Sequence, residues 1–362
     1  MEYLVLNKKY HDKMRFILLA LLILTSNSCA KNILFQKKSI AGLVDVTKLS
    51  AHSNKYFWQN FHEGNYEKLD SIIYYLSASY NENPNHLETV THLGFSHIWK
   101  LSERDRLDEI PPTITDHAVL SLRYFDESQK LNKKDPRTLG FLADMKMTVG
   151  DIAQDDKLSR QGYLEGLKSI RQWKTFNYFT IGYILSRLDF DSWQFDKGLE
   201  WQWKTLDECY GEKFNRENPS ILEYLDKENS ESDIHNKRAC WNSWIAPHNV
   251  EGFYMNMGDM LVKKGDWEKA IEVYQLAKDV PQYDTWDFKE TLEKRLVNAE
   301  KNVINFRKKL DRAAKNEVDN VMLINSSISC MACHKMSKED KLIYKDFDWD
   351  KYKEEYDTYG LN

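Results

Sequence analysis

Near its end the chain reads Cys330-Met331-Ala332-Cys333-His334. Two thiols separated by two residues can each reach one of the two vinyl groups of a single haem. The histidine that follows is then placed to ligate the iron from one face. The spacing therefore points to covalent attachment of one c-type haem at Cys330 and Cys333, with His334 as metal ligand. Other chemistries use the same residue types. Zinc would need a fourth ligand at suitable spacing, and the sequence has no second CxxC and no HxxxH pair. A thioredoxin-like dithiol needs a βαβ context, which is absent. A structural disulfide between Cys330 and Cys333 is the remaining alternative.

The second face of such a haem is not supplied by the motif's own neighbourhood. A small cytochrome c carries its CxxCH near the start of the domain and a ligand methionine well downstream. Here the chain ends at Asn362, and Met331 and Met336 lie too close to His334 to reach the opposite face. In arrangement alone the segment is similar to the cytochrome c′ type, a helical bundle with CxxCH on its last helix and often an open sixth position. A sixth ligand would have to come from the rest of the chain. His248, Met255, Met257 and Met260 are the nearest candidates, although methionines at helical spacing are ordinarily core. His52, His62, His86, His92, His97 and His117 crowd the N-terminal half, where each singly reads as a surface or hydrogen-bonded histidine. No distal ligand follows from the sequence. The aromatic residues Tyr344, Phe347, Trp349, Tyr352, Tyr356 and Tyr359 of the tail either cover a haem edge or pack as a short amphipathic helix.

Covalent haem attachment requires export, and the N-terminus fits it. Lys8, Lys9, Lys13 and Arg15 precede the apolar run from Phe16 to Leu24, which is too short to span a bilayer and has the length of a signal-peptide core. Met14 is an alternative start. The run Thr25-Ser26-Asn27-Ser28 leads to Cys29, an arrangement that resembles the lipobox of bacterial lipoproteins, with Ser26 where that motif usually has leucine. The resemblance implies cleavage after residue 28 and lipidation of Cys29. Ala30-Lys31, with no Asp, implies sorting to the outer membrane, facing the periplasm. A plain secretory signal and a periplasmic protein are the alternative. With Cys29, Cys330 and Cys333 assigned, Cys209 and Cys240 remain and form a natural pair in an oxidising compartment. They bracket a polar stretch, about 211–237, that reads as an inserted loop; two buried free thiols are the alternative.

Residues 29–50 read as a tether, and 51–282 as helical repeats. The clearest unit runs from Phe253 to Lys278: Gly258 sits where a first helix needs a small residue, Gly265-Asp266 is the turn, Ala270, Tyr274 and Ala277 form the second helix's packing face, and Pro281 ends it. This unit resembles a tetratricopeptide repeat. Trp58 to Pro84 is similar, with its turn at Gly64-Asn65. Weaker units are His86–Lys100 with partner His117–Leu131, Leu139–Gly150 with a turn at Gly150-Asp151, and Phe179–Leu188 with Phe195–Asp207. About four or five degenerate units are expected, stacked as an all-α solenoid with a concave face.

From Thr285 apolar residues recur at spacings of three and four: Phe288, Leu292, Leu296, Ala299, Val303, Phe306, Leu310 and Ala314. The stripe predicts one long capping helix over 283–324, leading to a haem segment and tail over 325–362. Lys294, Arg295, Lys301, Arg307, Lys308 and Lys309 read as its solvated face, or as a patch for an acidic partner.

Composition agrees with helices: Gly is 14 and Pro 7, too few for a chain of many β-turns. A net charge of −5 gives no case for nucleic acid. No Ser-His-Asp set, phosphate loop or metal-hydrolase motif is present. The expectation is an exported, lipid-anchored mono-haem c-type cytochrome on a helical-repeat scaffold, an electron carrier rather than an enzyme, with a redox partner protein docked on the repeats. The competing expectation is a non-redox repeat lipoprotein that binds a protein or glycan, with Cys330 and Cys333 structural.

Overall fold

The structure is a computed structural model, described over residues 46–225, 240, 242, 247–310 and 315–343. Thr47 opens the first helix with a reciprocal capping box: its hydroxyl accepts from the Ser50 backbone N–H, and the Ser50 hydroxyl accepts from the Thr47 N–H. Helix α1 (Lys48–Glu63) ends at Gly64 in the left-handed conformation, with φ 69°. It is followed by α2 (Leu69–Glu82), α3 (Leu87–Ser102), α4 (Asp116–Leu131), α5 (Pro136–Ala153), α6 (Asp156–Gln172), α7 (Lys174–Leu185), α8 (Trp193–Tyr210), α9 (Glu251–Lys264) and α10 (Trp267–Lys278). Each helix packs mainly on its sequence neighbour, giving the pairs α1/α2, α3/α4, α5/α6, α7/α8 and α9/α10. The described residues contain no strand, and the pattern is that of an all-α helical repeat. No helix among them is long and apolar enough to cross a membrane. The signal peptide, Cys29, most of the tether and the tail aromatics lie outside the described residues.

Close approach inside the pairs explains the small residues. A Cβ at Gly258 would lie 2.2 Å from the Tyr274 ring, so α9 and α10 meet there because the position has no side chain. Gly150 behaves differently from the expected turn. It lies inside α5, where a Cβ would lie 2.3 Å from Ser159 Oγ on α6. The turn comes later, at Gln154, which takes the left-handed conformation with φ 55°. Asp155 then caps α6 by accepting from the Lys157 and Leu158 N–H groups. Helix α6, not anticipated from sequence, is the partner that completes this unit.

Two large cores result. One is N-terminal, built from Phe57, Phe61, Leu69, Ile72, Leu76, Leu93 and Trp99. The other is C-terminal and centres on α8, α9 and α10, with Met255, Met257 and Met260 wholly inside it. Cys209 and Cys240 are bridged, with an S–S distance of 1.99 Å and a sequence separation of 31. The described part of the intervening loop lies on the C-terminal core through Phe214, Ile221 and Tyr224, and the Tyr210 and Tyr224 rings stack at 3.9 Å. Replacing both cysteines with serine is expected to cost about 3–4 kcal/mol, read as a lowered denaturant midpoint that reductant no longer affects. A midpoint equal to the wild type's would remove the bridge from the account of stability.

The capping segment corrects the sequence reading. It is two short helices, α11 (Lys289–Val297) and α12 (Ala299–Arg307), with a break at Asn298, whose side-chain amide donates to the Lys294 carbonyl. It does not continue as a helix to residue 324. Val321 is extended between short 3-10 turns at Val318–Asn320 and Leu323–Asn325, and Val321, Met322, Leu323 and Ile324 are all buried. Arg295 does not belong to a solvated face either: it is 1% exposed. Its guanidinium pairs with Asp259 at 3.1 Å and donates to the carbonyls of Val318, Asp319 and Val321. Asp259 also accepts from the Tyr274 hydroxyl and from the Leu323 N–H, both at 2.6 Å. This buried network holds the passage to the motif, with these two short 3-10 turns, against α9 and α10.

Candidate functional site

Residues Met331–His334 form one helical turn, α13, entered from Cys330 and followed by a second short helix, α14 (Lys338–Ile343). The N–H groups of Cys333 and His334 both donate to the Cys330 carbonyl, at 3.2 and 3.1 Å. Positions i, i+3 and i+4 share a face of a helix, so Cys330, Cys333 and His334 are presented together. Both thiols are free, in a chain whose other described cysteines are bridged.

The turn is held from every side by the repeats. Glu103, just past α3, is wholly buried, and its Oε1 accepts from the N–H groups of Cys330 and Met331, each at 2.9 Å. Its Oε2 accepts from the Trp99 indole at 2.9 Å and pairs with Arg106 at 3.0 Å. Burial pushes the Glu103 carboxyl up, while the Met331 N–H and Arg106 pull it back. The Cys333 carbonyl accepts from the N–H groups of His248 and Asn249, at 2.8 and 3.1 Å. Trp286 donates its indole N–H to Ala332 O at 3.0 Å, Tyr183 its hydroxyl to Ser329 O at 3.0 Å, and Asn249 its amide to Lys335 O at 2.6 Å. The Met336 N–H donates to His62 O at 2.8 Å. Gly252 on α9 lies directly under Cys333: a Cβ there would be 2.4 Å from the sulfur.

Three histidines from distant parts of the sequence meet here. The His248 ring lies 6.3 Å from that of His334, with planes at 83°, and 4.7 Å from that of His62. Phe61 packs on His334 at 5.0 Å. Burial pushes the His334 imidazole down to about 3, with His248 adding to the effect, and lowers His62 by the same cause. Burial pushes the Cys333 thiol up to about 12, with a further push from Glu251, and raises Cys330 with help from Glu103. Thiols so raised stay protonated, which is the opposite of a reactive dithiol. Of the other histidines, His92 is buried against Asn54 at 2.6 Å and His97 pairs with His117 at 2.7 Å.

A c-type haem is the group the motif implies, and the residues present fit one. Both thiols are unbridged and share a face with His334. His334 Nδ1 is buried without a hydrogen bond. Among the described residues no group of three or more His, Cys, Asp or Glu side chains could hold a metal ion by itself. Sequence reasoning named Cys330, Cys333, His334 and, as a candidate, His248. It missed Glu103, Gly252 and Trp286, which carry no motif and act through contacts between repeats. A comparison with protein-family models, curated proteins and solved structures finds no match.

Proposed function

We propose that the chain is an exported, lipid-anchored mono-haem c-type cytochrome on a tetratricopeptide-like scaffold, exchanging electrons with a protein docked on the repeats. Cys330 and Cys333 hold the haem, His334 ligates its iron, and Cys29 carries the acyl anchor at the outer membrane. The observation that carries the reading is the helical turn that puts two free thiols and an imidazole on one face. A bound haem would supply a one-electron couple. The protein's part is to fix the His334 ring and to limit water around it through Phe61 and the buried histidines, conditions that tune a reduction potential. The non-redox adapter is the second reading, favoured by the enclosure of Cys333, which is 6% exposed and pressed on Gly252.

The two separate on the visible spectrum of protein purified from a host that matures c-type cytochromes. The expected product is coloured, with a Soret band that survives acid–acetone extraction because the haem is covalent. A colourless product with free or disulfide-bonded Cys330 and Cys333 would establish the adapter instead.

A further inference from the structure

We infer that His248 is the sixth ligand, so that the haem iron lies between His248 and His334 in a six-coordinate, low-spin state. This rests on the haem reading above. The geometry carries it in two steps. First, two metal–nitrogen bonds of about 2 Å each, plus roughly 1 Å from each nitrogen to its ring centre, set ligand rings on opposite faces of one metal about 6 Å apart. The His248 and His334 ring centres are 6.3 Å apart. Second, the position of His248 is tied to the motif by its own backbone, because its N–H and that of Asn249 both donate to the Cys333 carbonyl. A ligand fixed to the attachment turn keeps its distance from the other ligand, whatever the repeats do.

The other donors near the motif do not compete. Met255, Met257 and Met260 are spent in the C-terminal core, at 0% exposure. The His62 ring packs on His248 at 4.7 Å, with planes at 88°, and on Trp58 at 5.2 Å. We assign His62 as a positioning residue that orients the His248 ring, in the way that outer contacts orient metal-bound histidines.

The test uses full-length protein matured with haem and reads the iron directly. Ferric wild type is expected to give a low-spin electron paramagnetic resonance spectrum and a near-infrared charge-transfer band of two nitrogen axial ligands. Its ferrous form should not bind carbon monoxide readily. His248→Ala should lose the low-spin signal, become high-spin and bind carbon monoxide, and added imidazole should restore the low-spin form. His248→Met should move the near-infrared band to that of a histidine–methionine pair. His62→Ala should stay low-spin. A high-spin or histidine–methionine wild type overturns the assignment without requiring any variant to fold. A low-spin His248→Ala, or a high-spin His62→Ala beside it, overturns it in favour of another ligand. Absence of covalent haem from the wild type overturns the haem reading itself, and the ligand assignment falls with it.

Discussion

Replacing Arg295 with methionine is expected to destabilise the protein by about 3–5 kcal/mol, the cost of leaving one member of a buried ion pair without its counter-charge. The substitution keeps most of the side-chain volume, so the loss is electrostatic rather than a cavity. It strands Asp259, 0% exposed, with only the Tyr274 hydroxyl and the Leu323 N–H as donors, and it frees the carbonyls of Val318, Asp319 and Val321. The pH dependence has a definite sign. Burial holds the Asp259 carboxyl above its usual range, and Arg295 is the largest influence pulling it back. Without Arg295 the folded-state value rises further. A carboxyl whose folded value is raised binds its proton more tightly in the native state, so its contribution is favourable below the unfolded value and is lost as pH rises through the folded one. The deficit of Arg295→Met should therefore be largest at neutral pH and shrink on acidification. Urea unfolding of both proteins at several pH values decides it. A deficit under 1 kcal/mol, or one that grows as pH falls, would mean that the pair is not the clamp described.

Glu103→Ala is expected to cost a similar amount, about 3–5 kcal/mol, because it removes a buried carboxylate that satisfies Arg106, Trp99 and two backbone N–H groups. Its effect is also local. The amides of Cys330 and Met331 lose their acceptor, and the turn that carries the thiols loosens. Haem-free Glu103→Ala should show faster hydrogen exchange at those two amides and faster labelling of Cys330 by a thiol reagent, in conditions where the rest of the chain stays folded. Glu103→Gln should fall between, since its amide oxygen can still face the two N–H groups while its NH2 meets the Trp99 and Arg106 donors. Labelling and exchange at wild-type rates in Glu103→Ala would show that the turn is held by its other anchors alone.

The motif and the clearest repeat are legible in the sequence because each is local. Gly258, Gly265-Asp266 and Tyr274 lie within one helix pair, and their spacing encodes their packing. The weaker units blur where the turn residue is unusual. Gln154 in a left-handed conformation gives no glycine or asparagine signal, and a glycine inside α5 supplies a false one. The region after Thr285 misleads for a different reason. Its apolar residues recur at helical spacing through α11 and α12, yet Val321 to Ile324 are apolar because they are enclosed on all sides. Arg295 looks like any solvent-facing cation until the carbonyls it serves are brought beside it by the chain's return. The candidate site is half legible on the same principle. Cys330, Cys333 and His334 announce themselves, whereas Glu103 and Gly252 are defined only by which helices come together around the motif.

The two residues between the cysteines face opposite ways in the architecture: Met331 packs in the N-terminal core and Ala332 in the C-terminal one. This has a consequence for chronology. Once both cores have closed on the turn, Cys333 is enclosed at 6% exposure, so an enzyme that must grasp both thiols would be denied one of them. Anything joined covalently to this pair has to be joined while the two halves of the chain are still apart. Under the haem proposal, maturation and folding would then be successive acts on the same five residues.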